Sequence, residues 1–256
     1  MKLSTNLLRF LLIASGLIII WQILVLITKA PPYILPAPWQ VARAAYLHME
    51  DLLTHGGTTL FEIILGLLLG TVLGAGSALT MIASQKLKSW LLPVLVISQA
   101  IPVFALAPLL VLWLGYGLAS KVAMAVLIIF FPVTAAFYDG LRRTDPGWLE
   151  LARVMNASPG AILFQIRIPA ALPAFASGLR VATAVAPIGA VVGEWVGSSA
   201  GLGFYMLHAN ARMQVDTMFA ALTVLAIMAL TIYFLIDWAM SRVVYWQKET
   251  DKEVYS

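Results

Sequence analysis

The sequence contains no cysteine and few charged residues, and each shortage excludes a class of protein. Without cysteine there are no disulfides and no thiolate metal sites. Charged residues make up 11% of the chain, against about 25% in an ordinary soluble domain, while 61% are hydrophobic and the mean hydropathy is +0.92. The composition therefore predicts an integral membrane protein, with no soluble domain to carry a basic nucleic-acid-binding face.

Ionisable side chains are also missing from the centres of the apolar segments. Glu62 and Glu194 lie toward the predicted outer ends, and Asp139 and Asp237 toward the inner ends. Secondary carriers typically have central ionisable residues and inverted repeats, and neither is visible. No nucleophile–base set indicates a membrane enzyme, and the three histidines are not spaced as metal ligands. We therefore expect no catalytic residues, no bound metal and no cofactor on this chain.

Six apolar segments are each long enough to cross a bilayer, which needs about 20 residues. They cover residues 8–28, 58–83, 90–114, 121–139, 173–194 and 217–240. The first is longer than the core of a signal peptide and lacks a good cleavage site, so we interpret it as a retained span. The predicted organisation is an N-terminal span with an exterior segment (1–57), a core of five spans (58–240) and a cytoplasmic tail (241–256).

The loop charges predict the orientation. With the N-terminus inside, eleven of the 16 Lys and Arg residues, including Lys248 and Lys252 in the tail, fall on the cytoplasmic side. Four fall outside, and Arg180 is left unassigned. Both termini are therefore predicted to be cytoplasmic, and residues 140–172 form an inner loop.

Two segments have patterns that suggest specific packing. The third apolar segment contains Pro93, Pro102 and Pro108, and Gln99 precedes the central proline, so it is either a kinked packing helix or a pathway-lining one. In the second, small residues at positions 66, 70 and 74 predict close approach of another helix.

Between the first two spans, residues 39–53 predict one short amphipathic helix.

The inner loop has the start and stop signals of two short helices. Asp145-Pro146 predicts a helix over about 146–155, since Asp is a good N-cap and Pro is tolerated at the first position. Asn156 follows where a left-handed residue is favoured. Ser158 followed by proline repeats the start signal, and the second helix is predicted over about 159–167, ending at Ile168-Pro169.

The first of these helices has more apolar residues than a solvated loop needs, at Leu149, Leu151, Val154 and Met155. A helix of about ten residues is marginal in water without packing. It must therefore pack on the protein's own spans or on a separate cytoplasmic partner.

The same loop resembles the cytoplasmic Glu-Ala-Ala loop of ATP-binding-cassette importer permeases. The matching positions are Glu150, Leu151, Ala152, Asn156, Ile166 and Pro169, with Leu151 in place of the first Ala and Asn156 in place of Gly. The resemblance extends to ILPAPWQV (34–41), IPVFALAPLLVLWLGYGLASKV (101–122), DGLRRTDPGWLELAR (139–153) and GEWVGSSAGLGFYMLHANARMQVD (193–216). These stretches are similar to the branch that imports nitrate, taurine, alkyl sulfonates and thiamine-pyrimidine precursors.

The resemblance implies an all-α, six-span importer-permease (MetI-like) core in the bacterial inner membrane, with residues 145–169 as a coupling hairpin. The implied ATPase-coupling residues are Glu150, Leu151, Ala152, Asn156, Ser158, Ile166 and Pro169. Because the chain has no P-loop, ATP and Mg are expected on a separate ATPase subunit. Further implied partners are an external solute-binding protein and a second copy of the chain. The implied solute is hydroxymethylpyrimidine, a thiamine precursor, with a sulfonate, taurine or nitrate as the alternative.

The segment after the fifth span is predicted to form an external gate. Residues 197–201 indicate a turn, and residues 202–211 a short helix. The resemblance places this element near the delivery protein, where it contacts the solute or the partner, or packs the gate shut. Candidate gate or pathway residues are Glu194, Trp195, Ser198, Ser199, Gln99 and Pro102.

Overall fold

The computed structural model describes residues 2–247, without the side chains of residues 2–7, 10 and 11, and over this part of the chain all regular structure is helical. The helices are α1 (Lys2–Thr28), α2 (Pro38–Leu47), α3 (Met49–Ala83), α4 (Gln85–Ala100), α5 (Val103–Leu114), α6 (Leu118–Arg142), α7 (Pro146–Val154), α8 (Pro159–Ile162), a π-helical segment (Leu163–Arg167), α9 (Ile168–Gly197), α10 (Leu202–Ala211) and α11 (Val215–Val243). The predicted all-α class is confirmed. Lys248 and Lys252, counted in the predicted orientation, lie outside the described residues.

Four of these helices are long and apolar enough to span a membrane. They are α3, α6, the continuous helix Pro159–Gly197 and α11. The pair α4 and α5 makes a fifth if it is one broken span, and the apolar part of α1, Leu12–Thr28, is shorter. These helices are sufficient in number for a multi-pass membrane protein, while the count of six and the orientation remain predictions.

The third apolar segment forms two helices and not one continuous helix, and the span predicted over 90–114 stays a prediction. Helices α4 and α5 meet at an angle of 105° at Ile101 and Pro102. Proline restricts the preceding residue to extended backbone, and Ile101 has φ −89° and ψ 120°. The helix therefore ends before the proline and restarts after it in a new direction.

The prediction of one amphipathic helix over 39–53 is wrong. Helix α2 ends at Leu47, and α3 begins at Met49 and continues into the predicted second span. Glu50 and Asp51 lie in the first turn of α3, where the helix dipole stabilises carboxylates. This favourable start explains why the long helix begins nine residues before the apolar run.

The chain divides into two compact units. The first contains the residues up to Thr58 together with Ser199–Ala226. Within it, α2 buries Val41 and Ala44, and the rings of Trp21 and Phe219 lie 5.7 Å apart.

The second unit, formed by Thr59–Ser198 and the segment from Ile227 onward, contains the packed core of α3, α6 and α9. Its buried apolar residues are Ile63, Leu67, Ala125, Ile129, Val133, Leu179, Ala182, Ala186 and Ala190. The close approach predicted from the glycine spacing is confirmed. A Cβ atom at Gly66 would lie 2.5 Å from the Ala125 Cβ, and one at Gly70 would lie 2.6 Å from the Ile129 Cγ2.

Candidate functional site

Helix α7 begins and ends close to the predicted residues. The Asp145 carboxylate accepts a hydrogen bond from the Gly147 N–H at 2.7 Å, which satisfies one of the free donors at the helix start. The helix runs from Pro146 to Val154 and buries Ala152. The capping signals in the sequence were therefore sufficient to locate this element.

The turn after α7 has the left-handed residue that the sequence predicts. Asn156 has φ +55°, which confirms the expectation. Its N–H donates to the Arg153 carbonyl, and the Ala157 N–H donates to the Ala152 carbonyl, both at 2.9 Å. These two bonds form a Schellman motif, which closes the helix. Asparagine tolerates this conformation better than most residues, so it can occupy a glycine position.

The second half of the hairpin differs from its prediction. The Ser158 hydroxyl caps the helix start by accepting from the Ala161 N–H at 3.2 Å, as expected. However, the helix does not end at Ile168-Pro169: residues Leu163–Arg167 form a π-helical turn that continues directly into α9. A π turn contains an extra residue and accommodates local disruption of the hydrogen-bond ladder, which explains how the chain passes Pro169 without a break.

The hairpin exposes most of its apolar side chains. Val154 is 80% exposed and Met155 74%, and Trp148 and Leu151 are also exposed, whereas Ala152 is buried. A cavity of about 490 Å³ lies beside them, lined by Trp148, Leu151, Ala152, Met155, Gln165, Ile166, Pro169, Ala170 and Trp246. The chain's own spans therefore cover only part of the apolar surface, and a large part faces outward.

The charged residues of α7 lie on the exposed surface. Glu150 and Arg153 are both exposed, and among the described residues there is no ion pair between them. The Glu150 side chain is therefore exposed beside the apolar residues and forms no ion pair with Arg153.

The predicted gate residues fall in different environments. Gln99 and Pro102 are exposed at the bend between α4 and α5. Trp195 is 45% exposed, and Ser198 is half-buried at the end of α9. Ser199 is exposed and belongs to the first unit. Their role in a pathway stays a prediction.

Glu194 is enclosed in the core of the second unit. It is 1% exposed, and its Oε1 accepts a hydrogen bond from the Thr59 hydroxyl at 2.5 Å. Nearby, the Lys121 Nζ donates to the Glu62 Oε1 at 2.7 Å, and both side chains are buried. Glu62 and Glu194 are predicted toward the outer ends of spans, but the pairing of Glu62 with Lys121 was not predicted. The sequence feature that could have indicated this pair is Lys121 at the start of an apolar segment.

Helix α10 has the predicted bounds and makes contacts within the first unit. The Gly201 N–H donates to the His55 Nδ1 at 3.1 Å, and the Tyr205 hydroxyl donates to the Asp51 Oδ2 at 3.4 Å. Burial raises the pKa of Tyr205, and the Asp51 carboxylate raises it further, so the hydroxyl stays protonated as a donor. These contacts attach α10 to the first turns of α3.

The sequence of this helical chain is similar to the sequences of known proteins. Residues 63–245 match the family described as binding-protein-dependent transport system inner membrane component. The chain belongs to this family. It is therefore a multi-pass membrane subunit of a binding-protein-dependent importer, and it is a transport component and not an enzyme.

Curated relatives of this importer permease cover almost its whole length. A probable ABC transporter permease protein of Haemophilus influenzae is 58% identical over 95% of the chain and 99% of the relative. The formylaminopyrimidine transport permease protein ThiX of Halalkalibacterium halodurans is 38% identical (90% and 92%), and the riboflavin transport system permease protein RibX of Chloroflexus aurantiacus is 36% identical (90% and 87%). A putative aliphatic sulfonates permease protein of Bacillus subtilis is 30% identical (85% and 79%).

A solved structure supports the same fold. A chain of the inward-facing MetNI methionine ABC transporter superposes with a TM-score of 0.58 at 21% identity, over 84% of this chain and 99% of that one. The predicted MetI-like core is thus confirmed. Family membership implies partners of two kinds, an ATPase subunit and an external solute-binding protein.

Proposed function

We propose that this permease imports a pyrimidine precursor of thiamine and that residues 145–169 couple it to a separate ATPase. The observation that carries the coupling proposal is the exposed apolar surface of α7, with Val154 and Met155 at 80% and 74% exposure. A soluble surface rarely exposes such a contiguous apolar patch unless it binds a partner. The family supplies a partner of the required kind on the cytoplasmic side.

The hairpin has the form of a docking element. Its rigid end is fixed by the Asp145 cap and by the two hydrogen bonds of the Asn156 turn. A preorganised helix loses little conformational entropy when it binds, so more of its contact energy is retained. Glu150 adds a charge for orientation, while Trp148 and Leu151 supply apolar area. ATP and Mg bind the ATPase, and this chain contributes the contact that transmits closure. Ser158, Ile166 and Pro169 complete the coupling set by capping and continuing the second helix.

A second copy of the chain is proposed to complete the pathway. One face of α9 is exposed between Ser177 and Trp195, at Ser177, Val181, Ala184, Ile188 and Trp195. These residues recur at helical spacing and most are small or apolar, which suits close packing with another helix in a membrane. Gln99, Pro102 and the gate residues Trp195, Ser198 and Ser199 are proposed to lie along the route of the solute.

The solute proposal is supported by the relative named for formylaminopyrimidine, at 38% identity. Relatives named for riboflavin and for aliphatic sulfonates are 36% and 30% identical. Sequence identity alone therefore distinguishes poorly between a pyrimidine and riboflavin as the solute. A sulfonate, taurine or nitrate is the alternative. The test is uptake of labelled hydroxymethylpyrimidine into cells that express the complete transporter, with riboflavin, taurine and nitrate as competitors. Competition by one of these and no pyrimidine uptake would replace the solute but leave the coupling proposal intact.

The coupling proposal has an independent test. Glu150→Lys is expected to reduce co-purification of the ATPase at least about tenfold, which corresponds to roughly 1.4 kcal/mol of binding free energy. The matched control is Glu50→Lys, which makes the same charge change at an exposed residue of the predicted exterior. Normal ATPase recovery and normal uptake in Glu150→Lys would contradict the assignment of the hairpin.

A further inference from the structure

A polar cavity of about 230 Å³ lies within the first unit, between α2 and the start of α11. The side chains that line it include Trp39, Gln40, Arg43, Leu47 and Asp216. None of them belongs to the coupling hairpin or to the candidate gate residues. Pockets for drug-sized molecules measure about 300–1,000 Å³, so this smaller cavity suits a compact polar group.

The two charged side chains of the cavity have opposite signs but do not pair with each other. Among the described residues, neither Arg43 nor Asp216 forms an ion pair. The Asp216 Oδ1 atom accepts from the Thr217 N–H at 2.8 Å, whereas no described residue donates to its Oδ2 atom. The Gln40 Oε1 atom accepts from the Ala37 N–H at 2.8 Å, so the amide N–H groups of Gln40 remain as donors. The cavity therefore offers donors for an anion and a carboxylate for a cation.

The cavity lies at the end of two apolar helices. Asp216 directly precedes a part of α11 that has no charged residue, positions 217–236. The rings of Trp21 and Phe219 lie 5.7 Å apart, so the C-terminal part of α1 packs beside the N-terminal end of α11. When α11 spans the bilayer, Asp216 is therefore at the level of the lipid headgroups, which flank the hydrocarbon layer.

Helix α2 has an exposed face that suits the same level. Trp39, Arg43, Tyr46 and Leu47 share this face at helical spacing, and all four side chains are exposed. Tryptophan and tyrosine are enriched where a membrane meets water, and interfacial helices combine them with Arg or Lys. This face therefore offers apolar contacts for acyl chains directly beside the polar cavity.

We propose that the cavity binds the headgroup of a phospholipid that carries both a phosphate and a primary ammonium group. Arg43 and the Gln40 amide donate to the phosphate oxygens, and the Asp216 carboxylate accepts from the ammonium group. The acyl chains extend along Trp39 and Leu47. A headgroup with a phosphate and no amine would place a negative charge near Asp216 without a cation to balance it. The proposal is independent of the solute and of the ATPase contact.

The test measures lipid binding to the purified full-length chain by native mass spectrometry, with three phospholipids that share the same acyl chains. Phosphatidylglycerol lacks the amine, and the amine of phosphatidylcholine has no N–H group. We expect phosphatidylethanolamine to bind at least about tenfold tighter than either, the effect of one charge-assisted hydrogen bond. Equal binding of the three lipids to the wild type overturns the proposal, and this comparison does not depend on whether any variant folds.

Two variants assign the roles of the charged groups. Asp216→Asn keeps an acceptor for the Thr217 N–H but loses the charge, so phosphatidylethanolamine should bind no better than phosphatidylcholine. Arg43→Gln should weaken both lipids about tenfold, because both contain the phosphate. The matched controls Glu50→Gln and Arg212→Gln remove exposed charges of the same signs from the first unit and should change neither. An unchanged lipid preference in Asp216→Asn overturns the assignment of the cavity.

The same headgroup without acyl chains distinguishes a lipid from a soluble ligand. Glycerophosphoethanolamine should displace phosphatidylethanolamine only at a much higher concentration than the lipid itself, because it cannot contact the exposed apolar residues of α2. Displacement at an equal concentration would overturn the lipid as occupant, since the cavity would then recognise a soluble compound with a phosphate and an amine.

Discussion

The hairpin of residues 145–169 exposes apolar side chains, whereas the cluster of Glu62, Lys121 and Glu194 buries charged ones. The hairpin exposes Val154 and Met155 to the outside, whereas the cluster encloses Glu62 and Glu194 away from water. Exposed apolar surface gains free energy only when another molecule covers it, and enclosed charge is stable only when neighbours within the chain neutralise it. The hairpin therefore leaves apolar surface that a second protein could cover, whereas Lys121 and Glu62 are paired within the chain.

The largest expected effect is loss of the cation inside the cluster. Lys121→Met leaves the buried Glu62 carboxylate without its ion-pair partner, and breaking a buried pair typically costs about 3–5 kcal/mol. We expect a large fall in the yield and thermal stability of the purified chain. Lys86→Met is the control, since Lys86 is exposed and makes no ion pair with a described residue. Equal stability of the two variants would show that the cluster does not hold the helices together.

The next effect separates binding from stability. Trp148→Ala should weaken ATPase binding by at least about 2 kcal/mol, because an exposed aromatic anchor is a frequent hot spot of an interface. Its side chain is 57% exposed, so the stability of the isolated chain should hardly change. Binding is measured by ATPase co-purification, with the exposed Tyr46→Ala as control. A loss of stability without a loss of binding would assign Trp148 to the internal packing.

A smaller effect is expected where α3 packs against α6, one turn or more from the cluster. Gly70→Ala would place a methyl group 2.6 Å from the Ile129 side chain, and overpacking of this kind costs about 1–3 kcal/mol. Gly76→Ala is the matched control, because no heavy atom lies within 4 Å of its Cβ position. Thermal unfolding in detergent compares the two. A Gly70→Ala chain as stable as Gly76→Ala would mean that the helices separate easily at this point.

The smallest effect concerns the turn of the hairpin. Asn156→Ala should destabilise the turn by about 1 kcal/mol, because φ +55° is unfavourable for alanine, whereas Asn156→Gly should be neutral or better. Uptake rates should therefore fall modestly in the alanine variant and be retained in the glycine variant. Equal losses in both would indicate that the asparagine side chain, and not the backbone, is what the partner contacts.

The hairpin could be predicted because its hydrogen bonds join residues close in sequence. The buried contacts of Glu62 and Glu194 could not be predicted because their partners are far away in sequence. The Asp145 cap, the Asn156 turn and the Ser158 cap each depend on residues at most five positions apart, so the local sequence contains the information needed. Glu62 and Lys121 are 59 positions apart, and Thr59 and Glu194 are 135 apart. Only the packing of three helices brings them together.

The backbone at two Ile-Pro pairs was not predicted from the sequence. The Ile101-Pro102 and Ile168-Pro169 pairs both indicate a helix end, yet only the first produces one. At Pro169 the backbone inserts a π-helical turn instead, and the sequence alone does not distinguish these two responses to proline.

The π-helical turn has a mechanical consequence. Because it preserves continuity, one helix extends over 39 residues from Pro159 to Gly197, which at 1.5 Å per residue is roughly 58 Å. The hydrocarbon layer is only about 30 Å thick, so a single rod extends well beyond it. This continuous helix begins at Pro159, after the turn of the hairpin, and Glu194 lies near its C-terminal end. A displacement at the proposed ATPase contact would therefore reach the region of Glu194 through one continuous helix.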